Sequence, residues 1–487
     1  VRCLREFRHR SRRMSNALSA PLPLRLKLAH GLGSIAYGVK DSGFSTFLLL
    51  FYNQVFGLPA TMVSTALMLA LFLDALIDPF IGHMSDRTHT RWGRRLPWLY
   101  TAAIPLGFAW LLLWSPPSGT HGEIFVYLVA VAFVVRALVS CCEVPSIALV
   151  PELTQDYDYR TGLMRFRFLF GWAGGLLMLF LAYSVFLVPD AGHKVGQLNP
   201  DGYWNYGLFG GFLIAATVLT SAAAQHRRVA HWPGEKPKPL RIGVAFQEIR
   251  EALSNRAFLI YAGAAACAMI SQGITFSISN YLYLYVWRFD QLAFALFPVV
   301  LFLSVVAAFF LVVPLNRKWD KPHTAAYAAV IGVTLWIVPF LLRLLDLWPE
   351  AGSAMSTWGV FLFFFLGNSF AVTVMISASS IIADIVEASQ EETGRRTEGT
   401  FFAGNFFIQK CATGVGIFAS GLIISWAGLS AQTSPDVVLP DVIDRLIAAY
   451  IGLVTLLALC SSLVFVRFPI RRHDHEERVR RLAGNTN

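Results

Sequence analysis

Twelve long apolar runs follow one another along the 487 residues, and few folds can hold so many. They lie near 31–55, 60–84, 97–114, 123–150, 168–188, 206–225, 257–285, 293–316, 324–346, 355–386, 399–427 and 440–467. About 20 residues cross the hydrocarbon of a bilayer as a helix, so each run reads as one membrane span. The runs around 123–150 and 257–285 exceed that length and predict tilt or a bend. Composition agrees, with 55% hydrophobic and only 14% charged residues and a mean hydropathy of +0.55. The expectation is an all-α membrane protein of twelve transmembrane helices.

The basic residues fall on one side of this frame. With connections assigned alternately, the termini and even-numbered loops carry 33 of the 40 Lys and Arg, whereas the opposite loops carry Lys194, Arg288, Arg343 and Arg445. Lys40, Arg136 and Lys410 lie within spans. The positive-inside rule then places both termini in the cytoplasm. The same asymmetry explains the net charge of +10 without a nucleic-acid partner. The first thirty residues are Arg-rich, but the following apolar run is too long for a signal core and contains Lys40-Asp41, so no cleavable signal is expected. Six cysteines scattered through spans predict no disulfide framework, and Cys141-Cys142 reads as small packing filler.

The hydrophilic stretch 226–256, rich in Pro and Lys, divides the spans six and six. The expected organisation is a cytoplasmic segment 1–30, a six-helix bundle 31–225, a linker 226–256 with a short surface helix at Val244–Leu253, a second bundle 257–467 and a tail 468–487. Each half carries a basic turn after its second span: Asp86-Arg87 through Arg91, Arg94 and Arg95 in the first, Arg317-Lys318 through Lys321 in the second. Such a degenerate repeat matches transporters that rock one bundle against the other around a midplane site. Asp86, Arg87, Arg91, Arg94 and Arg95 are the expected cytoplasmic gate, because cations at helix ends cap carbonyl termini and pair with acids there.

Charges inside the bilayer are expensive and point to function. Asp74 and Asp78 are one turn apart, so both carboxylates share a helix face and can converge on one cation. Their mutual repulsion is relieved by an alkali ion or a proton, and oxygen ligands without a His/Cys cluster argue against a transition metal. Lys40-Asp41, Arg136 and Glu143 are further ionisable positions deep in the first half, Arg167 is expected at the start of the fifth span, and Lys410 midway along the eleventh. Arg136 and Glu143 are seven residues apart on one face and together read as a polar cavity wall, or as partners in helix-to-helix ion pairs.

These motifs, Lys40-Asp41, Asp74-Ala-Leu-Ile-Asp78-Pro79 with Arg91-Trp92-Gly93 behind it, Glu143-Val-Pro145, Arg167-Phe168, Ala383-Asp384 and Lys410, resemble in order and spacing the glycoside–pentoside–hexuronide:cation symporters of the melibiose-permease type, within the major facilitator superfamily. The resemblance implies two pseudo-symmetric six-helix bundles. It also implies a cation site at Asp74 and Asp78, sugar-binding roles for Asp41, Glu143 and Arg167 with Lys40 beside them, and a coupling counter-charge at Lys410 with Asn405 on the same span. Three positions depart from that type. Glu143 replaces an Asp, Ile147 stands where the melibiose type has a Trp, and Arg136 is an additional cation, assigned to the substrate group as a candidate partner for a uronate.

The function expected is therefore alternating-access symport of a sugar, glycoside or hexuronide with Na+, Li+ or H+, by a monomer in a bacterial inner membrane and without a bound cofactor. A lysolipid carrier of the same fold is the alternative. An intramembrane enzyme using the Asp pair is disfavoured because the chain has no Gly-x-Ser-x-Gly or His-Glu-x-x-His signature.

Overall fold

The computed structural model describes residues 22–154, 156–229, 250, 254–393 and 398–469. The N-terminal segment to residue 21, most of the expected linker and the tail beyond 469 lie outside the described residues, as does most of the expected helix at Val244–Leu253. Among the described residues, eleven helices are long and apolar enough to cross a membrane. They are the second to twelfth spans, in order Ala60–Arg87, Leu96–Leu113, His121–Ala148, Tyr157–Leu181, Pro200–Val229, Arg256–Tyr281, Gln291–Trp319, Lys321–Leu344, Ala354–Thr393, Glu398–Ala427 and Pro440–Val466.

The first span is built in pieces: Leu24–Leu32, Ile35–Ser42, and then two π-helical turns, Gly43–Phe47 and Phe51–Val55, around Leu48–Leu50. Turns of that kind concentrate at functional positions of helices. Its glycines let neighbours approach closely. A Cβ on Gly38 would stand 1.9 Å from the Gly171 carbonyl oxygen, so the first and fifth spans meet backbone to backbone.

Polar residues start several spans by satisfying otherwise unbonded N–H groups. Thr120 and Glu123 form a reciprocal capping box on the fourth span. Asn255 accepts from the Phe258 N–H at 3.0 Å and Asp290 from the Ala293 N–H at 2.8 Å. Asp156 caps the fifth span through the Tyr159 N–H at 2.9 Å. The fifth helix thus begins well before its apolar run, and Arg167 stands in its body, not at its start as the hydropathy pattern predicts.

Packing within the two halves repeats. The first span packs on the fifth and sixth, the second on the fourth, and the third on the fourth and sixth. Six spans later, the seventh packs on the eleventh and twelfth, the eighth on the tenth, and the ninth on the tenth and twelfth. The halves meet where the second span crosses the eleventh, the fifth crosses the eighth and the first crosses the seventh.

At the end of the bundle opposite Leu24 and Val466 this contact is densely hydrogen-bonded. The Tyr281 hydroxyl donates to Asn53 Oδ1 at 2.9 Å, and Gln54 Nε2 donates to the Ser430 carbonyl at 3.1 Å. The Tyr285 hydroxyl lies 3.0 Å from Gln54 Oε1 and 2.7 Å from the Thr433 carbonyl. Deeper in, Asn280 Nδ2 donates to the Thr46 carbonyl at 2.8 Å, and Tyr183 donates to Asn280 Oδ1 at 2.5 Å. Five of these side chains (Asn53, Tyr183, Asn280, Tyr281 and Tyr285) are almost fully buried. Buried polar groups that are paired in this way hold a contact in one arrangement.

Candidate functional site

The second span carries Asp74 and Asp78 on one face, as the four-residue spacing predicts. The fourth span, packed beside it, presents Arg136 and Ser140 at the same spacing. Arg136 Nη1 donates to Asp74 Oδ2 at 3.0 Å. The Ser140 hydroxyl lies 2.9 Å from Asp74 Oδ1 and 2.6 Å from Asp78 Oδ1. From the other half, Lys410 on the eleventh span reaches both carboxylates, with Nζ 3.0 Å from Asp74 Oδ2 and 2.5 Å from Asp78 Oδ2. Asp74 is sealed, with a side chain 4% exposed, while Asp78 and Lys410 keep about a quarter of theirs, 26% and 24%.

A second polar group lies in the first half. Arg167 Nη2 donates to Glu143 Oε1 at 3.3 Å and Nη1 to Ser146 Oγ at 3.0 Å. Its guanidinium sits over the Tyr37 ring, 4.9 Å from the centroid, a favourable place for a planar cation. Lys40 is buried and bonds Asp41 at 2.5 Å; the Asp41 side chain is 66% exposed. Asp41 and Glu143 are thus accessible carboxylates, whereas Arg167, paired with Glu143, is buried.

The structure rearranges two expectations. Of the two readings of Arg136, the structure has the helix-to-helix ion pair: it is buried against Asp74 of the second span and lies over the Phe44 ring at 4.5 Å. That moves it from the expected substrate group to the carboxylate pair, because the fourth span packs on the second. Asn405, expected to act with Lys410, is engaged elsewhere. Its Oδ1 accepts from the Tyr261 hydroxyl at 3.1 Å, and it lines a cavity of about 250 Å³ in the second half together with Gln272, Trp336, Asn368 and Gln409. Thr46 and Leu179 bring the first half to the edge of that cavity.

The basic turn pairs within its own half. Arg94 bonds Glu152 at 2.8 Å, Arg95 lies 3.6 Å from the same carboxylate and also bonds Asp86, and Arg95 Nη1 donates to Ser85 Oγ at 2.6 Å. Arg91 lies over the Trp92 ring, 5.4 Å from its centroid, and Arg87 ends the second span. In the second half Lys321 bonds Asp384 at 2.6 Å. In each half, therefore, the turn after the second span is tied to an acid at the end of the fourth, which locks those spans to one another. Sequence reasoning missed Glu152 and Ser140. The first follows the Leu149-Val150-Pro151 step at the end of the fourth apolar run, and the second lies one turn beyond Arg136, so both had a positional signal.

Residues 29–472 match the family model described as MFS/sugar transport protein. An uncharacterized symporter of Synechocystis is 26% identical, covering 88% of this chain and 91% of the relative. A glucuronide carrier protein homolog of Escherichia coli is 25% identical over 88% of both chains. The inward-open xylose transporter XylE of E. coli superposes with a TM-score of 0.61 at 15% identity, covering 94% of this chain and 98% of that one, which shows the shared fold. The fold, the repeated packing and the family match agree: the chain belongs to the MFS/sugar transport proteins, of the glycoside–pentoside–hexuronide:cation symporter type, and is an integral membrane transporter, not an enzyme.

Proposed function

We propose that this carrier moves a sugar, glycoside or hexuronide together with a small cation, by rocking the halves 31–225 and 257–467 against each other. One observation carries the reading: at mid-depth a charged group joins the two halves, Lys410 bonded to Asp74 and Asp78. A bond of this kind changes strength with the charge on the carboxylates, so ion occupancy and the fit of the halves are coupled. The exposed carboxylates of Asp41 and Glu143 in the first half and the amides that line the cavity of the second are groups suited to a polyhydroxylated solute. The names of the related proteins, a symporter and a glucuronide carrier homolog, support this class of substrate.

With both termini cytoplasmic, a reading that the distribution of basic residues supports, the network of Asn53, Gln54, Tyr281 and Tyr285 closes the outer face. The carrier then works as a monomer in a bacterial inner membrane, its cavity reached from the cytoplasm. Thermal unfolding of the purified protein with neutral sugars, uronides and lysolipids tests the substrate class, because a ligand that binds only the folded state raises the melting temperature. The reading expects a glycoside or uronide to stabilise; stabilisation by lysolipid alone, favoured by the apolar part of the cavity wall, would transfer the carrier to the amphiphile class.

A further inference from the structure

The carboxylate pair has more positive charge around it than a site for an alkali ion can use. Two carboxylates and Lys410 leave one unit of negative charge, the amount a monovalent cation neutralises. Arg136 supplies that unit from the fourth span, bonded to Asp74 Oδ2 at 3.0 Å. The cations of the protein already occupy both Oδ2 atoms, Arg136 and Lys410 on that of Asp74 and Lys410 on that of Asp78, while the single Ser140 proton lies between the two Oδ1 atoms and serves one of them at a time. A hard cation needs a shell of several free oxygen ligands in exchange for its water. Here it would have to displace a guanidinium at Asp74 Oδ2, and at the remaining oxygens it would add a third positive charge to a carboxylate pair that Arg136 and Lys410 already neutralise.

Arg136 is poorly placed to give way. A guanidinium keeps its charge at any accessible pH. Its side chain is only 7% exposed, it lies over Phe44, and its Nε is buried with no hydrogen-bond partner. Asp74 is the anion it bonds among the described residues. Moving it aside would leave an unpaired charge in a dry place, a large penalty.

The geometry points to Arg136 as a tethered counter-ion that stands in for the alkali cation at Asp74, and so as the residue that denies this carrier Na+ and Li+. This rests on the symport reading above and narrows it. Of the cations considered there, the proton alone needs no coordination shell and escapes the exclusion. The inference departs from the expectation that Asp74 and Asp78 form an alkali-ion site, and the reason is a single side chain.

The test reads cation binding without any sugar, so its outcome does not depend on the substrate. Purified full-length wild type, Arg136→Gln and Arg136→Lys are melted in NaCl, LiCl or choline chloride at equal ionic strength. Wild type and Arg136→Lys should melt alike in all three salts, since both keep the positive charge. Arg136→Gln should gain a saturable rise of several degrees in NaCl or LiCl over choline, lost again when Asp74→Asn is added. Saturable stabilisation of wild type by Na+ or Li+ overturns the inference, whether or not the Gln variant folds. So does a folded, monodisperse Arg136→Gln that shows no alkali response. A merely structural role for Arg136 would lower all three melting curves of the variant equally. Failure of every glycoside to be transported would instead count against the symport reading and leave this result standing.

Discussion

Lys410 Nζ lies 2.5 Å from Asp78 and 3.0 Å from Asp74, so one ammonium on the eleventh span holds both carboxylates of the second. Breaking a fully buried pair by removing one partner costs about 3–5 kcal/mol. Because Asp78 and Lys410 are each about a quarter exposed, 26% and 24%, the loss here should fall below that range. Lys410→Gln should lower the melting temperature, and adding Asp78→Asn should restore part of it, because the second change removes the charge left unpaired. A double-mutant cycle on thermal stability measures the coupling, which should be favourable; additive losses would show that the pair does not join the halves.

Arg167 and Asp41 should separate affinity from stability. The Asp41 side chain is 66% exposed but pairs with the buried Lys40, so Asp41→Asn, which keeps an oxygen acceptor for that ammonium, should lower the melting temperature only modestly. A hydrogen bond from substrate to a charged group contributes about 1.5–3 kcal/mol, roughly 10- to 150-fold in binding. Asp41→Asn should lose affinity on that scale in equilibrium binding of the transported glycoside. Arg167→Gln should lose both affinity and stability, since it also frees the buried end of Glu143 and Ser146.

The outer network sets how firmly the carrier closes on that side. Tyr281 and Tyr285 each contribute a hydroxyl across the halves, and a net hydrogen bond is worth about 0.5–1.5 kcal/mol. The double variant Tyr281→Phe/Tyr285→Phe should shift the closed-to-open ratio roughly 5- to 150-fold. Labelling of Thr46→Cys in a cysteine-free background by an impermeant maleimide added outside reads this directly. The rate should rise in the double variant; an unchanged rate would mean that other contacts hold the closure.

Gly38 tests the close contact of the first and fifth spans. A Cβ there would meet the Gly171 carbonyl at 1.9 Å, whereas a Cβ on Gly122 meets nothing within 4 Å. Overpacking typically costs about 1–3 kcal/mol. Gly38→Ala should lower the melting temperature by several degrees, and Gly122→Ala should not lower it. Equal behaviour of the two would contradict the close packing described.

The spans and the charged residues inside them were readable because hydrocarbon tolerates so few exceptions; Asp74, Asp78 and Lys410 announce themselves against an apolar background. Which charges meet was not readable. Arg136 and Glu143 share a face of one helix, but their partners Asp74 and Arg167 come from different neighbours, and that depends on how the helices pack. Ser140 carries no charge and stays inconspicuous until two carboxylates are seen to face it. Asn53, Gln54, Tyr281 and Tyr285 sit near span ends, where polar residues are ordinary, so their joint role emerges only when the halves are docked. The early start of the fifth helix was hidden because hydropathy reports the apolar run and not the cap at Asp156.

The central claim is tested most directly by uptake of radiolabelled glycosides and glucuronides into proteoliposomes containing the purified full-length carrier. The account predicts saturable entry of at least one of them, recovered chemically unchanged, driven by an imposed cation gradient and abolished in Arg167→Gln. No uptake of any glycoside by folded protein, or entry of a lysolipid in its place, would contradict it.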